Sequence, residues 1–461
     1  MEPIDEKELV LKEQALKYIE NRQYTLLKNY LSDQNPADIA AIMEEVEDKD
    51  IPLIFRILPK DEAAETFAYM ESETQRKLIV SFSDKELREV LDDLYLDDTV
   101  DMIEEMPANV VAKILRNTDI QTRKKINELL KYPDDSAGSL MTIEYVYFNR
   151  DMTISEALDR IRSVGVVKET IYTCYVTQSR KLVGVVSVLE LLTADPQTKI
   201  EEIMDSNVIC VHTDDDQEFV AKQIQKYDFL ALPVVDKEDR LVGIITVDDV
   251  IDVIHEEATE DISKMAGITP NENSYFNTSV FQHAKSRIGW LLFLMLSATL
   301  TGMVINHYEH LMVTVPLLYS FVPMLTGTGG NSGSQAATLI IRGLSMDEIQ
   351  FKDIFRVMFK EFRVALLVSS VLAVVNGARI AITYWNNDQG INSILLGLAI
   401  AVSIVFVIVL AKTVGCILPM LAKKIHLDPA IMAAPLISTI VDACAVLIYC
   451  NVCILMFGDL L

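Results

Sequence analysis

The chain has 461 residues, half of them hydrophobic, and carries 67 acids against 41 bases for a formal net charge of −26. That length allows two or three folded units, and the acidic surplus repels nucleic acid and anionic lipid while attracting cations, although a solvated surface accounts for most of it. The charge is uneven: residues 1–284 hold 58 acids and 30 bases, a net of −28, whereas residues 285–461 hold nine acids and eleven bases.

The opening MEPIDEKELV has no basic n-region and no apolar h-region, which excludes a cleaved secretory signal. A repeat with a period near 24 residues follows: NPADIAAIMEEV at 35, LPKDEAAETFAYM at 58, FSDKELREVLDDL at 82 and MPANVVAKILRN at 106. Each has Pro or Ser before an apolar helical stripe. Proline at a first helical position gives up no hydrogen bond, so these are predicted helix starts in a stacked array over about residues 1–130. Such an array is usually a binding surface.

A second repeat pairs LVGVVSVLELL at 182–192 with LVGIITVDDVI at 241–251, each a glycine-containing strand leading into a helix. The segments upstream also correspond, and the double pattern resembles a pair of CBS domains built from β-α-β-β-α units. Such pairs serve enzymes, channels and transporters alike, so the fold does not fix the function. The phrase Gly-Ile-Ile-Thr246-Val-Asp-Asp249 resembles a ribose-contacting pattern, with Ser187 and Glu190 equivalent in the first copy. Bound ATP is the modulator this implies; hydrolysis is not, because no phosphate-cradling GxxxxGK[ST] occurs. Acids at 249, 252, 256, 257, 260 and 261 then recur at helical spacing without a proline, predicting one long acidic helix.

Residues 288–308 contain no Asp, Glu, Lys or Arg, enough for one membrane helix at about 1.5 Å per residue. Four more spans are predicted at Leu311–Ile341, Val364–Trp385, Ile391–Ala422 and Pro429–Phe457. Arg342, Lys352, Arg356, Lys360 and Arg363 lie between spans two and three, and Lys423 and Lys424 between spans four and five. The loops at 306–310 and 386–390 hold no Lys or Arg, which puts the N-terminus in the cytoplasm and the C-terminus outside. Six scattered cysteines, including the apolar CxxC of Cys450 and Cys453, predict packing and not zinc.

Asp442 is the one ionisable residue between Pro429 and Gly458. A carboxylate at that depth costs about 2.5–3.5 kcal/mol on insertion scales, so it faces a watery route or a partner, for which Lys412 and Arg379 are the intramembrane candidates. Thr439 precedes it by three residues on the same helix face. In span two, Pro323 and the run Gly327 to Gln335 predict unwound backbone: Gly327, Gly329, Gly330 and Gly333 permit close approach, and Asn331 and Gln335 offer amide oxygens to a hydrated ion. Helix packing of small residues is the alternative.

PMLTGTGGNSGSQ and PLISTIVD, behind a CBS pair and a helical N-terminal region, resemble the MgtE family of magnesium channels over essentially the whole chain. The fold this implies is multidomain: an α-helical superhelical N-terminal domain (1–133), an α/β tandem CBS pair (134–200 and 201–256), a long acidic connecting helix with its linker (257–284) and a five-helix transmembrane domain (285–461). The function implied is Mg²⁺ uptake across a prokaryotic inner membrane, through a pore on the axis of a homodimer and embedded in lipid, without nucleic acid and without catalysis. Regulatory Mg²⁺ is implied at Glu65, Asp97 and Asp101, at Asp216, Glu218 and Asp228, and at Asp249, Asp252, Glu257, Glu260 and Asp261. One departure is Ala434 before Pro435, where members of the family can carry Asn. A flux-free signalling module has no need of Asp442, an enzyme lacks any nucleophile and base, and an anion channel would favour basic sites.

Overall fold

The computed structural model describes residues 4–165, 168–271, 275, 278–385, 392–432 and 434–457, with side chains from residue 10 onward except at 61 and 434. It divides into two compact units, Met1–Ile254 and His255–Leu461.

The first unit opens with ten helices: α1 (Ile4–Glu20), α2 (Tyr24–Leu31), α3 (Pro36–Glu44), α4 (Ile51–Phe55), α5 (Lys60–Ala68), α6 (Ser72–Ser81), α7 (Asp84–Asp93), α8 (Leu96–Glu105), α9 (Ala108–Asn117) and α10 (Ile120–Leu129). The repeat is visible as α3 packing on α5, α5 on α7 and α7 on α9. Asn35 caps α3 with Pro36 at the first helical position, as predicted, and Ser83 forms a reciprocal capping box with Glu86. Pro59 and Pro107 instead occupy the cap positions themselves, at φ −57°, ψ 152° and φ −61°, ψ 146°. The ring that suits a first helical turn suits the extended cap equally, so these helices begin one residue later than expected.

Two three-stranded sheets follow. The first joins β1 (Tyr147–Asn149), β2 (Thr173–Gln178) and β3 (Lys181–Ser187), with α11 (Ile154–Val164) and α12 (Val188–Thr193) completing the β-α-β-β-α order; α13 (Ile200–Ile203) connects the copies. The second joins β4 (Val211–His212), β5 (Ala231–Val235) and β6 (Leu241–Thr246), with α14 (Gln217–Tyr227) and α15 (Val247–Met265). In each sheet the first pairing is parallel, the second antiparallel, and the register shifts once, at Val176/Thr177 and at Val234/Val235. The glycine of each LVG phrase has a shared reason. A Cβ on Gly184 would lie 2.6 Å from Met204 Sδ, and one on Gly243 would lie 2.6 Å from Met141 Sδ. Each methionine belongs to the segment leading into the opposite strand, which bridges to it at Val185–Asp205 and Thr142–Ile244. Helical repeat and second sheet share one core, in which Leu129 and Ala137 join Val211, Val220 and Ile245. Residues 249–265 form one uninterrupted helix, and the boundary expected at 256/257 falls inside it.

The second unit contains α16 (Val280–His307), α17 (Glu309–Thr314), α18 (Val322–Ser345), α19 (Ile354–Thr383), α20 (Ser393–Lys424) and α21 (Ala434–Phe457). Among the described residues, four stretches are long and apolar enough to cross a membrane: Val280–His307, Phe351–Thr383, Ser393–Lys424 and Pro429–Phe457. The predicted span at Leu311–Ile341 resolves into α17, a 3₁₀ turn at Pro316–Phe321 and the continuous helix α18. Its expected unwinding is a misreading. Residues 322–345 are helical throughout, so backbone hydrogen bonds stay internal, as an apolar surrounding requires.

Two glycines of α18 serve packing: a Cβ on Gly329 would meet Val407 at 2.7 Å and Val441 at 2.8 Å, and one on Gly333 would meet Ile437 at 2.7 Å. Pro323 and Pro435 also break nothing, because each lies in the first turn of its helix, where no partner is lost. Of the residues expected in the connection between spans two and three, Arg342 lies inside α18 and Arg356, Lys360 and Arg363 lie inside α19.

Candidate cation sites

In the second unit, α18 lies between α20 and α21, and the contacts with α21 run antiparallel: Gly333 faces Ile437, Gly330 faces Ser438 and Gly329 faces Val441. One residue further along α21 the same series brings Asp442 to about the level of Gly327, whose surroundings are open, with nothing within 4 Å of a Cβ placed there. Gly327, Asn331 and Gln335 are four residues apart and share one face of α18, on which both amides are exposed. Asp442 is half-buried, and its expected alternatives are engaged elsewhere. Lys412 Nζ lies 3.2 Å from Glu361 Oε2, and Arg379 Nε donates to Asn376 at 2.9 Å. Asp442 has no ion-pair partner among the described residues. The Thr439 hydroxyl donates to the Pro435 carbonyl at 3.0 Å, so it offers only lone pairs to a ligand. The side chain of Ala434 lies outside the described residues.

The last turn of α15 meets the same helices. Lys264 Nζ lies 2.8 Å from Asp428 and 2.7 Å from Glu260, while Met265 packs on the cluster of Ala337, Ile341, Ala411, Ile437 and Val441. Glu260 is thus committed to Lys264, and Glu257 and Asp261 have their own contacts.

In the first unit, acids from several elements crowd together with few bases. Asp97 is 8% exposed, and its Oδ1 has no hydrogen-bond partner. Burial, then the Asp98 charge, pushes it to about 7. Asp101 keeps an exposed edge, yet the surrounding protein and the Asp249 charge push it to about 8. Burial raises Asp249 to about 7 although Thr246 donates a 2.6 Å hydrogen bond to it. Glu65, Glu144, Glu169 and Asp97 all act on the Tyr95 hydroxyl, which places Glu65 on the rim of the same group.

Sequence reading missed Asp98, Glu144, Asp248 and Glu169. Burial and then the charges of Asp97 and Asp249 raise Glu169 to about 8, and its Oε2 is buried without a partner. Asp98 stands at about 6 for the same first reason. Glu169 precedes β2 in a segment with no periodicity, so only its lack of a nearby base could have marked it. No three His, Cys, Asp or Glu side chains among the described residues converge closely enough to hold a bare ion.

The remaining predicted acids stand apart from this group. Asp216 caps α14 by accepting from the Glu218 amide at 2.9 Å, Glu218 pairs with Lys222 at 2.7 Å, and Asp228 ends α14 in a left-handed conformation at φ 52°. Asp252 is exposed on α15. Ser187 and Glu190 form the capping box of α12, so their visible role is local.

A β-α-β-β-α module twice repeated, an acidic cluster and a helical bundle with one intramembrane carboxylate unpaired among the described residues define a membrane protein for handling divalent cations. Family models agree: the divalent cation transporter model MgtE matches residues 322–452, the MgtE intracellular N domain 34–135, and the CBS domain 137–196 and 200–256. The magnesium transporter MgtE of Thermus thermophilus is 36% identical over 97% of this chain and 98% of its own length. That of Bacillus subtilis is 32% identical over 92% of each. The soluble part of a magnesium transporter, solved as a crystal structure, superposes with a TM-score of 0.51 at 33% identity, over 54% of this chain and 99% of that one. The chain belongs to the MgtE family. It is a family of transporters and not of enzymes.

Proposed function

We propose that the chain is a Mg²⁺-selective channel for uptake across the cell membrane, gated by Mg²⁺ on the cytoplasmic side. The observation that carries this reading is Asp442, unpaired on α21 beside the open face of α18 while both intramembrane bases are engaged elsewhere. Five spans, α16, α18, α19, α20 and α21, form the transmembrane domain, with the N-terminus inside and the C-terminus outside. Two copies of the chain set two Asp442 carboxylates about one axis, in lipid. Mg²⁺ dehydrates reluctantly, so carboxylates and the amides of Asn331 and Gln335 hold its water shell.

Regulation uses the acids of the first unit and the connector. Without cation the crowded carboxylates repel; a bound hydrated Mg²⁺ relieves them, compacts that unit and holds α15 against α18, α20 and α21 through Met265 and Lys264. Domain limits at 1–133, 134–200, 201–256, 257–284 and 285–461 belong to this reading, as does ATP as a modulator at Thr246, Asp249 and Ser187. Support for ATP is the hydrogen bond between Thr246, at the end of β6, and Asp249, which sets the two side chains of that phrase together.

The test is Mg²⁺ uptake by proteoliposomes carrying the full chain or Asp442→Asn. The variant should assemble normally and lose about a hundredfold or more of the flux, since two neutral amides cannot replace two carboxylates for a divalent ion. Wild-type uptake by a well-assembled variant would remove Asp442 from the ion path.

A further inference from the structure

The pair Glu361–Lys412 lies inside the bundle, 9% and 5% exposed, with no part in the ion path described above. Exchanging a buried ion pair for apolar side chains of similar volume is often neutral for stability, so cohesion alone does not account for it. Its place in the packing does. Small groups recur along α19, where Ala365, Ser369 and Ala373 are buried, and at its crossing with α20 a Cβ on Gly377 would lie 3.3 Å from the Gly397 carbonyl. A smooth interface of that kind allows neighbouring axial registers nearly equal packing, whereas an ion pair satisfies only one.

The turn of α20 that carries Lys412 also carries Ala411 and Gly415. Those two residues form the seat of α18: a Cβ on Gly333 would lie 3.1 Å from the Ala411 carbonyl, and one on Gly415 would collide with the Gly333 carbonyl. Three residues up α18, Gly330 abuts Ser438, and Gly329 abuts Val441, the neighbour of Asp442. The chain of contact therefore runs from Glu361 through Lys412 and the Gly333–Gly415 crossing to the turn of α21 that presents Asp442.

We propose that Glu361 and Lys412 are positioning residues for transport: their ion pair fixes the axial register of α20 on α19 and thereby the seat of α18 beside Asp442. The inference rests on the reading that ions pass Asp442. Its test uses the full chain in proteoliposomes as Lys412→Met, as the apolar pair Glu361→Met with Lys412→Met, and as the exchanged pair Glu361→Lys with Lys412→Glu. Gel filtration and thermal unfolding report assembly; maximal Mg²⁺ uptake and the half-saturating Mg²⁺ concentration report positioning.

The apolar pair should assemble like wild type yet lose about tenfold in maximal uptake or shift half-saturation by a similar factor, and the exchanged pair should recover to within about twofold. Lys412→Met leaves Glu361 alone and should be the worst of the three. Wild-type uptake and half-saturation in the apolar pair would overturn the proposal, as would an exchanged pair that assembles but transports no better than the apolar pair. Failure of the apolar pair to assemble, where the exchanged pair succeeds, would also overturn it by making the pair a folding requirement. Asp442→Asn measured alongside separates the two claims: uptake by that variant condemns the pore reading, whereas a dead Asp442→Asn beside an unaffected apolar pair condemns only this one.

Discussion

The two units treat charge in opposite ways. In the second, Glu361 is paired with Lys412 and Arg379 is hydrogen-bonded to Asn376, while Asp442 has no ion-pair partner among the described residues. In the first, Asp97, Asp98, Asp101, Asp249 and Glu169 crowd one another without an ion pair among the described residues, and each is pushed towards neutrality. An isolated carboxylate in a bundle marks a path, because its unmatched charge is costly wherever no cation visits. A crowd of carboxylates in a soluble domain marks a switch, because their mutual repulsion is stored until a cation or protons remove it.

The sharpest way to break this comparison from the membrane side is to widen the α18 seat without touching a charge. Gly333→Leu forces a side chain against Ile437 and the Ala411 carbonyl, where even a Cβ is too close. Overpacking of this kind costs about 1–3 kcal/mol, and Mg²⁺ uptake should be lost in protein that still inserts. Gly330→Ala meets only Ser438, at 3.2 Å, and should retain uptake. If both variants transport normally, the glycine face is filler and the ion path lies elsewhere.

A smaller effect is expected from pH on the first unit. Carboxylates whose native pKa is raised bind protons more tightly folded than unfolded, so their contribution is fully present below the ordinary carboxylate range and is lost as pH rises through about 6, 7 and 8, the values for Asp98, Asp97 and Asp101. Without Mg²⁺, proteolysis within residues 1–254 of the full chain should therefore quicken between pH 6 and pH 8. Millimolar Mg²⁺ should slow it at pH 8 and change little at pH 6, where protons already occupy the sites. Protection that improves with pH in the absence of cation would contradict the sign.

The smallest change is Glu169→Gln. It removes one of the charges acting on Asp97 and Asp249 while keeping the shape, so the pH-dependent loss should shrink and a higher Mg²⁺ concentration should be needed for equal protection. An unchanged Mg²⁺ midpoint would place Glu169 outside the cluster.

Much of this was legible in the sequence, and for physical reasons. The double LVG phrase gave both sheets because strand, turn and helix are local patterns, and the charge-free runs gave the apolar helices because membrane length is a composition rule. Asp442 stood out as a solitary charge. What the sequence hid depends on contact. Gly327, Gly329, Gly330 and Gly333 read as broken backbone, yet the space beside three of them is filled, at Gly329 by Val407 and Val441, at Gly330 by Ser438 and at Gly333 by Ile437, partners distant along the chain, while Gly327 faces open space. Lys360 and Arg363 read as part of a connection, and Glu361 between them drew no notice, because helix α19 extends further towards its N-terminus than its apolar run. Asp98, Glu144 and Glu169 join Asp97 and Asp249 only after the helical repeat and the sheets share a core.

The central claim joins the regions: cation relief of crowded carboxylates closes a path past Asp442. Allosteric couplings are typically about 1–3 kcal/mol, so loss of several sites should move the response by about tenfold or more. The most direct measurement is patch-clamp open probability against internal Mg²⁺ for wild type and for Asp249→Asn, Glu257→Gln and Asp261→Asn combined. Wild type should close as internal Mg²⁺ rises, and the triple variant should stay open at concentrations that shut wild type. Superimposable inhibition curves would contradict the account, leaving the acidic connector a solvated helix.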